Sequence, residues 1–226
     1  MEHNIYMYKI VIHLSKPDKE EKTTKLIWVK ESDGIFSVKS AYDSIVETDL
    51  EFDESNFNLV WKVWAPSNAS ALGWRVFLDR IQTKMNLVRR NIPISSCACP
   101  WCGIAEETTS HLLFVCPFAW CVWSLILRWL GIFFVLPGES MDHFKQFVNC
   151  WSLATKSGLA TIWLATVWHL WHGRNAVIFR EENLESVGIF EAVKLKSWSW
   201  IKACNKNCPH SLSEWFNEPL ACLGDM

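Results

Sequence analysis

Apolar residues recur at helical spacing through most of the chain beyond residue 55, and alternate only near its beginning. Residues 25–30 alternate weakly, Glu31-Ser-Asp-Gly34 supplies turn chemistry, and Ile35-Phe-Ser-Val38 returns, which predicts a β-hairpin over 25–38. A short helix follows from Lys39 to Val46, with Ala41, Tyr42, Ile45 and Val46 on its inner side. An acidic linker comes next, carrying Glu47, Asp49, Glu51, Asp53 and Glu54.

Beyond the linker the pattern predicts a short helix over Asn58–Trp64, stopped by Pro66, and a second over Ala69–Arg80. Thr83 stands where an N-cap belongs for a helix over Lys84–Arg90, its hydroxyl accepting from free amides of the first turn. Pro93 closes that region. Later helices are expected at about 118–130, 140–153, 158–179 and 185–203. In the third of these, Trp163, Val167, Leu170 and Trp171 form one stripe, and Ala160, Leu164 and Trp168 another. A helix apolar on two sides belongs at the centre of a fold. The expected fold class is mostly α, a helical domain with a small N-terminal β-hairpin and a zinc-stabilised loop.

Composition sharpens this picture in two respects. The 226 residues include 15 Trp against 3 Tyr, which suits a helical core pinned by large rings. Lys plus Arg number 22 and Asp plus Glu 24, so the net charge of −2 provides no global attraction for a polyanion. Phe118–Leu136 is almost wholly apolar, but Arg128 near its middle would cost roughly 2.5–3.5 kcal/mol inside a bilayer. Gly131 and Pro137 also divide the stretch. A buried helix is expected there, and no membrane partner. No secretory signal opens the sequence, so a nuclear or cytoplasmic protein is expected, with its nine cysteines serving as metal ligands or core residues.

The strongest chemistry lies in the loop over 95–117. Cys99-Pro-Trp-Cys102-Gly103 is followed by His111 and Cys116, a C-x2-C-x8-H-x4-C spacing. Two cysteines separated by two residues in a turn can aim both sulfurs at one ion. Pro100 presets that turn, and Gly103 can take the positive φ that lets amides approach sulfur. His111 and Cys116 would stand about 140° apart on an ideal α-helix, so one unbroken helix would not aim both inward. Pro117 disfavours the helical region for Cys116 and can end the first turn just there. Three thiolates and an imidazole form a closed tetrahedral set for one structural Zn²⁺. Cys97 is a nearby spare thiol, and Cys204, Cys208 and His210 form a second cluster that lacks a fourth ligand locally. His169 and His172 lie one turn apart on an apolar helix and are expected to be satisfied structural histidines.

These residues bring a family into view. Cys99-Pro-x-Cys102-Gly through Glu107-Thr108, His111-Leu-Leu-Phe114 and Cys116-Pro117 resembles the zinc-binding domain that follows the reverse transcriptase of plant LINE-type (non-LTR) retrotransposons. Asp33-Gly-x-Phe-Ser-Val-Lys-Ser-Ala-Tyr42 is similar to that family's opening signature. Trp61-x-x-Trp64-x-Pro66, Trp74-Arg75, Arg80-Ile-x-Thr83 and Leu87-x-x-Arg90 resemble its middle. Trp171-x-x-Arg174-Asn175 with Phe179 resembles a downstream helix, and Trp215-Phe-Asn-Glu-Pro219 a common ending. One departure is Gly73, where relatives tend to carry a bulky aromatic before the Trp-Arg pair. The resemblance covers roughly 25–220 and divides the chain into an N-terminal extension (1–24), a zinc-binding domain (25–131) and a Trp-rich helical region packing on it (132–226). The polymerase and ribonuclease H domains are expected to be detached from it.

Enzyme chemistry is not expected. The aspartates are isolated from one another, no Tyr-x-Asp-Asp occurs, and the glycines never form a phosphate-cradling loop. Arg75, Arg80, Lys84, Arg89 and Arg90 stand against Asp79 alone in 75–90, whereas 97–116 has no Lys or Arg and carries Glu106 and Glu107. The finger is thus a poor grip for phosphate, and the five basic residues before it are the candidate nucleic-acid contacts. Spacing alone does not place all five on one face. What the resemblance implies is a non-catalytic accessory domain with RNA or DNA, or a reverse-transcriptase polypeptide, as partner. The alternatives are a structural or protein-docking module and a retroelement relic without selected function.

Overall fold

The computed structural model describes residues 12–14, 26–28, 35, 37, 40, 59–149, 155–205 and 208–224. The chain divides into two units, Met1–Glu54 and Ser55–Met226, with the division at the end of the acidic linker.

In the first unit β1 (Ile12–Leu14) pairs antiparallel with β2 (Leu26–Trp28), with Ile12 opposite Trp28 and Leu14 opposite Leu26. This corrects the expected hairpin. The strand at 26–28 finds its partner upstream, in the β-branched run around Ile12, and the described Ile35 and Ser37 lie outside strands. Ser40 is helical and its backbone amide donates to Ser37 Oγ at 3.0 Å. The rest of the helix expected at 39–46, and the acidic linker, lie outside the described residues.

The second unit is helical. After a helical turn at 59–61 come α1 (Ser67–Phe77), α2 (Lys84–Arg89), a π-helical turn (His111–Val115), α3 (Pro117–Trp129) and α4 (Ser140–Asn149). The long α5 (Lys156–Arg180), α6 (Ser186–Cys204), α7 (Leu212–Asn217) and α8 (Pro219–Gly224) complete it. The mostly helical reading therefore holds among the described residues. Thr83 caps α2 as its position suggests, accepting from the Asn86 amide at 3.3 Å. The apolar stretch 118–136 splits into α3 and a loop, and among the described residues no helix is long and apolar enough to cross a membrane.

α5 is the central helix. Both of its stripes are covered: α1, α4 and α6 pack against it, and Leu159 to Val167 is buried without a break. Trp163 lies at the middle of an aromatic cluster with Phe77, Phe114, Trp123, His143 and Phe144. Buried indoles need hydrogen-bond acceptors as well as area. Trp123 Nε1 donates to Leu113 O at 2.8 Å, Trp163 Nε1 to His143 Nδ1 at 3.0 Å and Trp215 Nε1 to Lys194 O at 3.0 Å. Gly73 is explained by the crossing of α1 with α5. A Cβ there would lie 2.4 Å from Leu164 Cδ2, so the helix-weakening glycine leaves room for the Leu164 side chain where the two helices cross.

Burial pushes the His143 imidazole down to about 3 and that of His169 to about 4. The unfolded chain takes up these protons near 6.5, whereas the folded chain resists them until the lowered values. Stability from this source is therefore full above the unfolded value. It is lost as pH falls, by up to roughly 1.4 kcal/mol per pH unit for each histidine. The variant His143→Asn keeps an acceptor for Trp163 and should flatten the acid limb of a Tm-against-pH profile relative to the parent. An unchanged slope would contradict the assignment.

Candidate metal centre and basic surface

The first half of the centre is a tight backbone turn. The Cys99 amide donates to Ala105 O at 2.7 Å and the Gly103 amide returns to Cys99 O at 2.8 Å, beneath a bridge between Ala98 and Glu106. Gly103 takes φ +68°, the left-handed conformation expected of it, which brings Cys99 and Cys102 to one side of the turn. The second half solves the five-residue spacing in a way that the spacing itself does not reveal. His111–Val115 is a π-helical turn, in which the Cys116 amide reaches back five residues to His111 O at 2.7 Å. The wider turn brings Cys116 back over His111, where an α-helix would carry it past. Cys116 itself is extended (φ −54°, ψ 136°) and Pro117 opens α3.

All four donor atoms, of Cys99, Cys102, His111 and Cys116, lie within 4.8 Å of one another. Bond lengths typical of zinc put two sulfurs about 3.8 Å apart, and a sulfur and an imidazole nitrogen about 3.6 Å apart, across a tetrahedral ion. Cys99 Sγ and Cys116 Sγ are 3.9 Å apart, and Cys102 Sγ lies 3.4 Å from His111 Nε2. The set fits one Zn²⁺ and fills all four corners of its tetrahedron. Contact with the Cys116 sulfur pushes the Cys99 thiol down to about 5, and the same contact pushes Cys116 up.

A buried ion pair braces the turn against the core. Glu107, fully buried, receives Arg174 Nη2 at 2.7 Å and Nε at 3.1 Å on Oε1, and Oε1 also accepts from the Lys84 amide at 3.2 Å. Burial raises the Glu107 carboxyl above its ordinary range, with the Arg174 charge opposing that. Lys84 Nζ donates to Ala98 O at 2.6 Å, and Trp101 stacks on Phe118 at 4.2 Å. α2, α3 and α5 thus each hold one side of the zinc turn.

Residues 36–123 match the family described as zinc-binding in reverse transcriptase. That stretch is a zinc-binding domain of reverse-transcriptase type. A curated Arabidopsis thaliana protein provisionally named as a ribonuclease H protein is 28% identical over 167 residues, covering 70% of this chain and 26% of the relative. The chain spans about a quarter of the length of that curated relative. No solved structure matches it.

Around the reverse-transcriptase zinc-binding domain the five candidate basic residues separate into three groups. Arg75 Nη2 and Arg90 Nη2 both donate to the carbonyl of Arg80, at 3.3 and 3.4 Å, and Arg80 itself is exposed. None of these three has a carboxylate partner among the described residues. Arg89 is different, with Asp79 Oδ2 2.6 Å from its Nη1. Lys84 is half-buried and engaged with the zinc turn. Asp79 has a role that sequence reasoning missed. It takes φ +50° at the end of α1 and accepts from Thr109 Oγ1 at 2.5 Å, Asn86 Nδ2 at 2.9 Å and Arg89. Burial pushes its carboxyl up, but these hydrogen bonds outweigh that and hold it below the ordinary aspartate range. Thr109, just before the metal ligand His111, was the available signal.

The remaining candidates do not assemble into sites. Among the described residues, the four zinc donors are the one group of three or more metal-ligating side chains, so Cys204, Cys208 and His210 do not converge. Cys97 lies outside the donor set. Among the described residues His169 is not satisfied as expected, its Nε2 being buried without a hydrogen-bond partner there, and His172 rests against Trp168 at 4.2 Å.

Proposed function

We propose that this chain is a non-catalytic nucleic-acid-binding domain derived from a retrotransposon reverse transcriptase, in which zinc orders a scaffold and arginines beside it hold phosphates. The observation that carries the reading is the convergence of Arg75 and Arg90 on the Arg80 carbonyl with no neutralising carboxylate among the described residues. The like charges of Arg75 and Arg90, brought to one carbonyl, repel one another, and a phosphate backbone relieves that repulsion while releasing its counterions. The zinc-binding match and the plant relative, with its ribonuclease H name, support a setting in which nucleic acid is handled.

The experiment is binding of single-stranded RNA and DNA by the zinc-loaded chain over a range of salt. Removing one arginine–phosphate interaction should take about 0.7 from the slope of log K against log salt. The combined variant Arg75→Gln, Arg80→Gln, Arg90→Gln should therefore lower the slope by about two. Arg89→Gln, whose charge Asp79 already meets, should change it least. Affinity and slope unmoved by the combined variant would overturn the reading.

A second reading, docking to a protein such as a polymerase, is favoured by the loop after α3. Phe133 is 89% exposed and Val135 76% exposed there. The basic convergence has no role in that reading.

A further inference from the structure

We infer that the cleft between α2, the 93–96 loop and the C-terminal half of α5 is a pocket for one unpaired base of a single-stranded nucleic acid. The inference rests on the nucleic-acid reading above and names where the strand goes after its phosphates are held. The cleft has a volume of about 800 Å³ and lies within the second unit. Its walls are of two kinds. Leu87, Ile94, Ile178 and Phe179 offer apolar surface, while Gln82, Ser95, Ser96 and Asn175 offer hydrogen-bonding groups. A nucleobase has flat apolar faces and polar edges, and this lining meets both.

Three further observations favour a base over other occupants. Phe179 is 74% exposed, so its ring contributes little to the core and stands ready as a stacking face. Arg174 lines the cleft with its charge met by Glu107, and Lys84 adds a cation with no ion-pair partner among the described residues, which suits a ligand attached to phosphate. The cleft also adjoins the arginines that lack a carboxylate partner among the described residues: Gln82 is two residues beyond Arg80, at most about 7 Å of chain. Leu87 O accepts the Arg90 amide at 3.0 Å. A strand gripped at Arg75 and Arg90 has the cleft residues Gln82 and Leu87 within a few residues of its contacts.

The test uses a short single-stranded oligonucleotide carrying one fluorescent adenine analogue whose emission drops when its ring stacks. Zinc-loaded chain should quench the probe. The variant Phe179→Ala, at an exposed position where folding is not at stake, should weaken binding about tenfold and remove the quenching. Its salt slope should stay that of the parent. The arginine variants should do the reverse, losing slope while the bound probe remains quenched at saturation. Binding with normal affinity and quenching in Phe179→Ala would overturn the pocket and leave the phosphate surface standing. Absence of any binding at low salt by a folded, zinc-loaded chain would overturn both.

Discussion

Replacing Cys99 with serine is expected to yield a chain that holds no stoichiometric zinc and does not unfold cooperatively. Cys99 and Cys116 are 1% and 0% exposed and belong to the same core as Leu112, Leu113 and Trp123. The metal site is thus part of the hydrophobic core, and the π-turn between His111 and Cys116 is held from both ends by ligands. Structural zinc is worth about 10–16 kcal/mol in finger peptides, against about 5–15 kcal/mol for the whole stability of a domain. Loss of one ligand consumes most of that margin. Metal content by mass spectrometry and near-ultraviolet circular dichroism read the outcome, and a strong chelator added to the parent should reproduce it. The control is Cys97→Ser, two residues away and outside the donor set, which should stay within about 0.5 kcal/mol of the parent. A zinc-free Cys99→Ser chain with the parent's melting temperature would contradict the account.

The second large effect is expected at Arg174. Substituting methionine leaves Glu107 buried with its main counter-charge gone, and should destabilise by about 3–5 kcal/mol. The penalty belongs to the stranded carboxylate more than to the missing attraction. Adding Glu107→Gln to Arg174→Met should therefore recover a large part of the loss, although the new amide would still need to accept from the Lys84 backbone. Denaturant melts of both single variants and the double variant measure the coupling. Additive losses would show that the two residues do not act as a pair.

Much of this architecture was legible along the chain because its signals are local. The two stripes on 158–179 gave the central helix, Thr83 gave the cap of α2, and the cysteine spacing gave the zinc turn down to the glycine with positive φ. Signals that depend on distant partners were not legible. The partner of the 26–28 strand lies upstream, and local turn chemistry at Glu31–Gly34 pointed the other way. Gly73 read only as a departure from the family pattern until Leu164, far along the sequence, proved to lie against it. Likewise nothing in the spacing of Arg75 and Arg90 shows that the α1–α2 turn folds them onto one carbonyl. α7 was within reach, since Ser211-Leu-Ser-Glu214 is a capping box that forms as written. The cysteines just before it masked that signal by suggesting metal instead.

The central claim is that one zinc ion, held by Cys99, Cys102, His111 and Cys116, organises the second unit and the basic surface beside it. X-ray absorption at the zinc edge of the purified chain tests it most directly. The account predicts one zinc per chain with three sulfurs at about 2.3 Å and one nitrogen at about 2.0 Å. A shell with fewer than three sulfurs, an oxygen ligand in place of the imidazole, or a folded chain that retains no zinc would contradict it.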